Sequence, residues 1–177
     1  GLLNGTRDVV VSPDGRHVYA AGSGDDAVAV FSRNGTTGAL TLEGGVRDGI
    51  GGVDGLDGAR DLAISRAGHH VYVAGVDDDA VAVFSRDATT GLLGFVEVQR
   101  DGVGAVAGLD AATSVALSPD GARLFATAGT DDALVVFDNT YRIAEPGEDQ
   151  RVNGALAVIR ERHGGNLVNL EFVSWFT

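Results

Sequence analysis

Two Arg-Asp pairs, Arg7-Asp8 and Arg60-Asp61, are the polar residues best placed for chemistry, and they stand 53 residues apart. The planar guanidinium fork suits the oxygens of a bound acid or lactone, so these four residues are the candidate ligand-binding set. The competing reading of each pair is a salt bridge between neighbouring structural units. A second set is acidic: Asp54 and Asp57 in the stretch Asp54-Gly55-Leu56-Asp57-Gly58, with Asp78 and Asp79 in the run Asp77-Asp78-Asp79. Calcium takes about six to eight oxygen ligands, and such a loop could supply several, although it lacks the order of an EF-hand. Asp and Gly are equally what tight turns require. The expectation is therefore no cofactor, with Ca2+ on Asp54, Asp57, Asp78 and Asp79 as the sharper alternative. The four His, at 17, 69, 70 and 163, show no ligand spacing, and His17 and His70 are expected to face solvent. No HExxH, GxSxG or Walker lysine is present.

The elements that position these residues come from an internal repeat. Ser12-Pro13-Asp14-Gly15-Arg16-His17-Val18-Tyr19 returns as Ser65 to Tyr72 and again as Ser118 to Phe125, each time after 53 residues. Each copy runs without a gap into Ala27-Val28-Ala29-Val30-Phe31, Ala80 to Phe84 and Ala133 to Phe137. Within one unit the pattern predicts four strands. The first is Asp8 to Val11, followed by a Ser-Pro-Asp-Gly turn of type I and a second strand from His17 to Ala21. The third, Ala27 to Phe31, is apolar on both faces and must be covered by neighbours. The fourth, from Leu40, alternates apolar with polar and suits an outer rim. Four antiparallel strands repeated radially make an all-β propeller. The Arg-Asp pairs then enter the innermost strands, near the channel.

The blades are expected at about 1–53, 54–106 and 107–165, with an insertion near 140–153 and the start of a further blade at 166–177. Ala155 to Arg160 is read as the third rim strand, with a short helix as the alternative. The tail also carries Glu145, Glu148, Glu161 and His163, which could contribute to a site. A net charge of −12 disfavours nucleic acid, and no apolar run approaches the roughly 20 residues of a membrane span. There is no Cys. The absence of an initiator Met suggests a processed or excised piece, and an exported or cell-surface setting is favoured.

The blocks Val18-Tyr19-Ala20-Ala21, Val71-Tyr72-Val73-Ala74 and Leu124-Phe125-Ala126-Thr127, each between a Ser-Pro-Asp-Gly-like turn and an Asp pair, resemble the YVTN repeat of lactonase-like bacterial propellers. The resemblance covers residues 1 to about 139. It implies a propeller with a polar site near the central channel, and it carries no catalytic residue over.

Some three blades fall short of a closed ring. The expected partners are therefore further blades, supplied by copies of the same chain in a homo-oligomer or by the missing part of a larger protein. Near-identical blades, none visibly specialised for chemistry, favour a noncatalytic binding or structural propeller. The alternative is a lactonase-like hydrolase acting at the channel, for which one blade must break the pattern.

Overall fold

The computed structural model describes residues 1–139 with their side chains, and the backbone of two further strands, Val152–Arg160 and Asn169–Glu171. The described residues hold strands and turns and no helix, so none is long and apolar enough to cross a membrane. The first sheet runs β1 (Thr6–Val11), β2 (His17–Gly22), β3 (Ala27–Arg33), β4 (Leu40–Arg47). The second repeats it with β5 (Ala59–Ile64), β6 (His70–Gly75), β7 (Ala80–Arg86) and β8 (Leu93–Arg100). The third contains β9 (Ala112–Leu117), β10 (Arg123–Ala128), β11 (Ala133–Asn139), β12 (Val152–Arg160) and β13 (Asn169–Glu171).

All pairings are antiparallel between sequence neighbours. The strand expected over Ala155 to Arg160 is β12, pairing Ala133 with Arg160 as Ala27 pairs with Arg47 and Ala80 with Arg100. Of the span 166–177 read as the start of a further blade, Asn169–Glu171 pairs with β12 at the outer edge of the third sheet, and the rest lies outside the described residues. Most of the insertion near 140–153 lies outside the described residues.

Each turn between first and second strands follows from its four residues. The Ser12, Ser65 and Ser118 carbonyls accept the N–H of Gly15, Gly68 and Gly121, and those glycines take φ near +70°, which a side chain would resist. The Ser hydroxyl then accepts the N–H of the residue opening the next strand, as from His17 to Ser12 at 3.0 Å.

The first strands of the three sheets, β1, β5 and β9, pack side by side at the inner edge, and the fourth strands lie outermost. Between the first two blades Tyr19, Val28 and Val30 meet Leu56, Leu62, Val71, Val73 and Phe84. Between the second and third, Tyr72, Val81 and Val83 meet Leu109, Val115, Leu124 and Phe137. The two-faced burial expected of the third strand holds for Ala27 to Val30 and Ala80 to Phe84, which are fully enclosed. Phe31 is half-buried, and β11 alternates, with Leu134 and Val136 only partly buried.

His17 and His70 correct the expectation of solvent exposure, being 3% and 9% exposed. The turn of the next blade covers His17 so closely that a Cβ on Gly91 would meet its ring at 2.3 Å. His17 Nδ1 lies 2.8 Å from Arg86, a buried guanidinium that also donates to the Tyr19 hydroxyl at 2.6 Å, the Gly68 carbonyl and the Asp14 carboxylate.

Candidate functional site

The inner strand of each blade opens with a β-bulge. Thr6 pairs with Gly22 and Asp8 with Ala21, leaving Arg7 as the extra residue; Ala59 and Asp61 flank Arg60 in the same way, and Ala112 and Ser114 flank Thr113. A bulge releases one residue from the ladder and re-aims its side chain. Arg7 and Arg60 are both exposed there, and both line one cleft of about 130 Å³ together with Ser23, Gly58, Val76 and Asp77. The two arginines singled out from sequence therefore converge between the first and second blades.

Their surroundings differ. Arg7 Nε donates to Ser23 Oγ at 3.1 Å, and that hydroxyl donates in turn to the Gly5 carbonyl, which fixes the guanidinium. The place of Ser23 is taken in the second blade by Val76, and no carboxylate lies within ion-pair distance of Arg60 among the described residues. Arg60 is thus the cation with donors to spare for a ligand. Asp77 sets its carboxylate over Gly58, where a Cβ would come within 2.5 Å of Oδ2; Gly58 also holds φ +66°. The cleft brings two cations, one carboxylate and one hydroxyl together.

Asp8 and Asp61 are employed otherwise. Asp8 Oδ2 accepts the Leu62 N–H at 2.9 Å, and Asp61 Oδ2 accepts the Val115 N–H at 2.7 Å and the Ser114 hydroxyl at 2.6 Å. Each carboxylate staples the inner strand of its own blade to the next, a charge-assisted bond to backbone where the sequence offered an Arg-Asp bridge.

Of the four Asp read as a metal set, Asp54 and Asp78 converge with Asp48, their carboxylate oxygens within 4.8 Å of one another. Arg100 lies among them, its guanidinium 2.6 Å from Asp54 and 2.9 Å from Asp78. Asp48 accepts the Leu56 N–H and Asp79 the Ala111 N–H. Burial and the neighbouring carboxylates Asp26, Asp77 and Asp78 push the Asp57 carboxyl up from its ordinary value. The donor set is therefore divided between a resident guanidinium and backbone amides, a poor fit to a cation that needs about six free oxygens.

Sequence reasoning missed Ser23 and Thr113, and it placed Asp77 in the acidic run without joining it to the two arginines. The signal was available at fixed repeat positions: Arg7, Arg60, Thr113 at the bulge, and Ser23, Val76, Gly129 at the turn beside it. These are the places where otherwise similar blades diverge. Glu145, Glu148, Glu161 and His163 lie outside the described residues.

Four-stranded antiparallel blades, inner strands side by side and polar residues gathered at one inner rim, define a β-propeller. Residues 3–107 match the family described as lactonase, 7-bladed beta-propeller, more than half of the chain. The chain belongs to that family. A 6-phosphogluconolactonase of Formosa agariphila is 34% identical over 88 residues, 49% of this chain and 23% of the relative. The periplasmic gluconolactonase of Pseudomonas aeruginosa superposes with a TM-score of 0.70 at 25% identity, over 96% of this chain and 42% of its own. A candidate 6-phosphogluconolactonase of Bacteroides fragilis gives 0.63 at 22% identity, covering 77% and 35%, and attests to the fold alone. The chain thus spans less than half the length of these relatives.

These likenesses overturn the expectation of a noncatalytic binding or structural propeller. Near-identity among blades does not mean lack of specialisation. In a ring, specialisation needs only a few side chains at the inner rim, which strand-level similarity does not report.

Proposed function

We propose that the chain forms part of the active rim of a lactone hydrolase. The observation that carries the reading is the bulge-held pair Arg7 and Arg60 on one cleft with Asp77. In that cleft a lactone carbonyl oxygen accepts from Arg60, and the tethered Arg7 fixes the ring substituents. Asp77 takes a proton from a water as its oxygen bonds to the carbonyl carbon. The tetrahedral oxyanion is held by the guanidinium, whose charge is in place before the negative charge develops. Collapse breaks the ring C–O bond, the ring oxygen receives the proton from Asp77, and a hydroxy acid leaves. The near relatives' names supply gluconolactones as the substrate class to try first.

The test is pH-stat hydrolysis of glucono-δ-lactone, above the spontaneous rate, by the chain and its variants. Arg60→Ala is expected to lower kcat/KM about 100-fold, as loss of one oxyanion donor does, and Asp77→Asn to lower kcat by a similar factor. Turnover that neither substitution changes, or no turnover at all, refutes this assignment of the cleft.

A further inference from the structure

The first blade carries a docking face whose chemistry is written out by the two interfaces the structure shows. Leu3 and Val9 on that face are 45% and 58% exposed, whereas their repeat equivalents in the second blade, Leu56 and Leu62, are 0% and 4% exposed because the first blade covers them. Val11, Leu40 and Leu42 are likewise exposed, and their equivalents Ile64, Leu93 and Phe95 pack against the core.

The polar contacts sharpen what must cover this face. At each observed junction the earlier blade supplies carboxylates and the later blade supplies N–H groups. Asp8 and Asp61 hold Leu62 and Val115; Asp26 and Asp79 hold Gly58 and Ala111; Asp48 and Asp101 hold Leu56 and Leu109. The corresponding amides of the first blade are those of Val9, Gly5 and Leu3, and among the described residues no carboxylate reaches them.

A fourth contact varies in a matched way. Arg86 of the second blade meets Asp14, His17 and Tyr19 of the first. At the next junction Asn139 stands where Arg86 stood, and Ala67 where Asp14 stood, with Tyr72 donating to the Asn139 side chain at 3.1 Å. Arginine goes with aspartate, asparagine with alanine. The first blade has Arg33 at this place, its Nη1 on the Gly15 carbonyl as Arg86 Nη1 is on that of Gly68, and no carboxylate within ion-pair distance among the described residues.

We infer that the open face of the first blade takes a blade of the Asp14, His17, Tyr19 kind, with an inner-strand Asp, and that a second copy of this chain does not fit it. The far face of the third blade keeps Asp132 at the place of Asp26 and Asp79 but presents the wrong groups at the inner strand and at the Arg33 contact. Ser114 stands where Asp8 and Asp61 stand, and its hydroxyl already donates to Asp61. Phe125 replaces the tyrosine that takes the Arg Nε–H, and Arg123, paired with Asp138, replaces the neutral His17. An Arg33 brought there would keep Asp120, lose one acceptor and face a like charge.

The test installs the missing groups in the whole chain. Sedimentation equilibrium is run on the unmodified protein, on S114D/R123H/F125Y, and on each with R33A. The triple variant is expected to self-associate at least tenfold more tightly than the unmodified chain, with R33A abolishing the gain. R33A in the unmodified chain is expected to leave its association unchanged. The inference is overturned if the folded triple variant associates no more tightly, or if the unmodified chain forms a dimer that R33A breaks. The second result applies even if the triple variant fails to fold.

Discussion

Replacing Arg86 by asparagine imposes on the first junction half of the chemistry found at the second. The Arg86 side chain is 1% exposed and donates to the Tyr19 hydroxyl, the Gly68 carbonyl and Asp14, with His17 beside it. Removing one partner of a buried ion pair costs about 3–5 kcal/mol, most of it from the charge left behind. Asp14 is 35% exposed and regains water, so the low end applies, about 3 kcal/mol for Arg86→Asn. Adding Asp14→Ala reproduces the combination of alanine at 67 with asparagine at 139 found at the next junction, where Asn139 is buried and uncharged. The double variant should therefore recover about 2 kcal/mol, a coupling typical of residues in one network. Urea unfolding of the four proteins of the cycle at pH 7 measures it. The network also sets a direction in pH: burial alone would raise the Asp14 carboxyl, but hydrogen bonds from Ser12 and Arg86 outweigh it and hold the group well below the usual range. That contribution is complete at neutral pH and lost as pH falls through the acid range, so the single variant's deficit should shrink in acid. A cost below about 1 kcal/mol for Arg86→Asn, or additive single costs in the double variant, would refute the matched-pair reading.

Two further outcomes follow from buried and crowded groups. Burial, with His69 adding to it, lowers His70 from 6.5 to about 4, so the unfolded chain binds more protons between those values and stability falls as pH drops from 6.5 towards 4. His70→Gln should flatten that part of a stability-against-pH curve, and an unchanged slope would show that His70 is not its source. Millimolar calcium or a chelator should leave the melting temperature unchanged, because Arg100 already neutralises Asp54 and Asp78. A rise with calcium would mean that the ion displaces the guanidinium, since a ligand of the folded state alone must stabilise it.

Strand order, turn chemistry and the enclosed third strand were legible because each depends on residues a few positions apart, and the 53-residue period repeats the signal. Arg7 and Arg60 were legible for the same reason, as equal residues at equal places. What Asp8 or Asp48 does was not, because its partner is a backbone N–H of another blade, 54 or 8 residues on, and every residue type but proline supplies one. His17 looked like a strand-entry residue beside a polar turn; only the seating of Gly91 on its ring makes it interior. The function was misjudged at the same level. Averaging over repeats hides position 113, where Arg gives way to Thr, and the bulge that makes this position matter leaves no mark in the hydrophobic pattern.

The bulges separate two tasks that most strand residues must perform at once. Arg7, Arg60 and Thr113 sit outside the ladder register, while the stapling residues and apolar contacts beside them carry the junction. The side chain at a bulge can thus change charge, length or hydrogen-bonding character with little consequence for how blades hold together. Such a position is a socket on a fixed frame. A ring built from these units can acquire a new ligand preference one rim residue at a time, and a designer wishing to retune this protein would begin at residue 113.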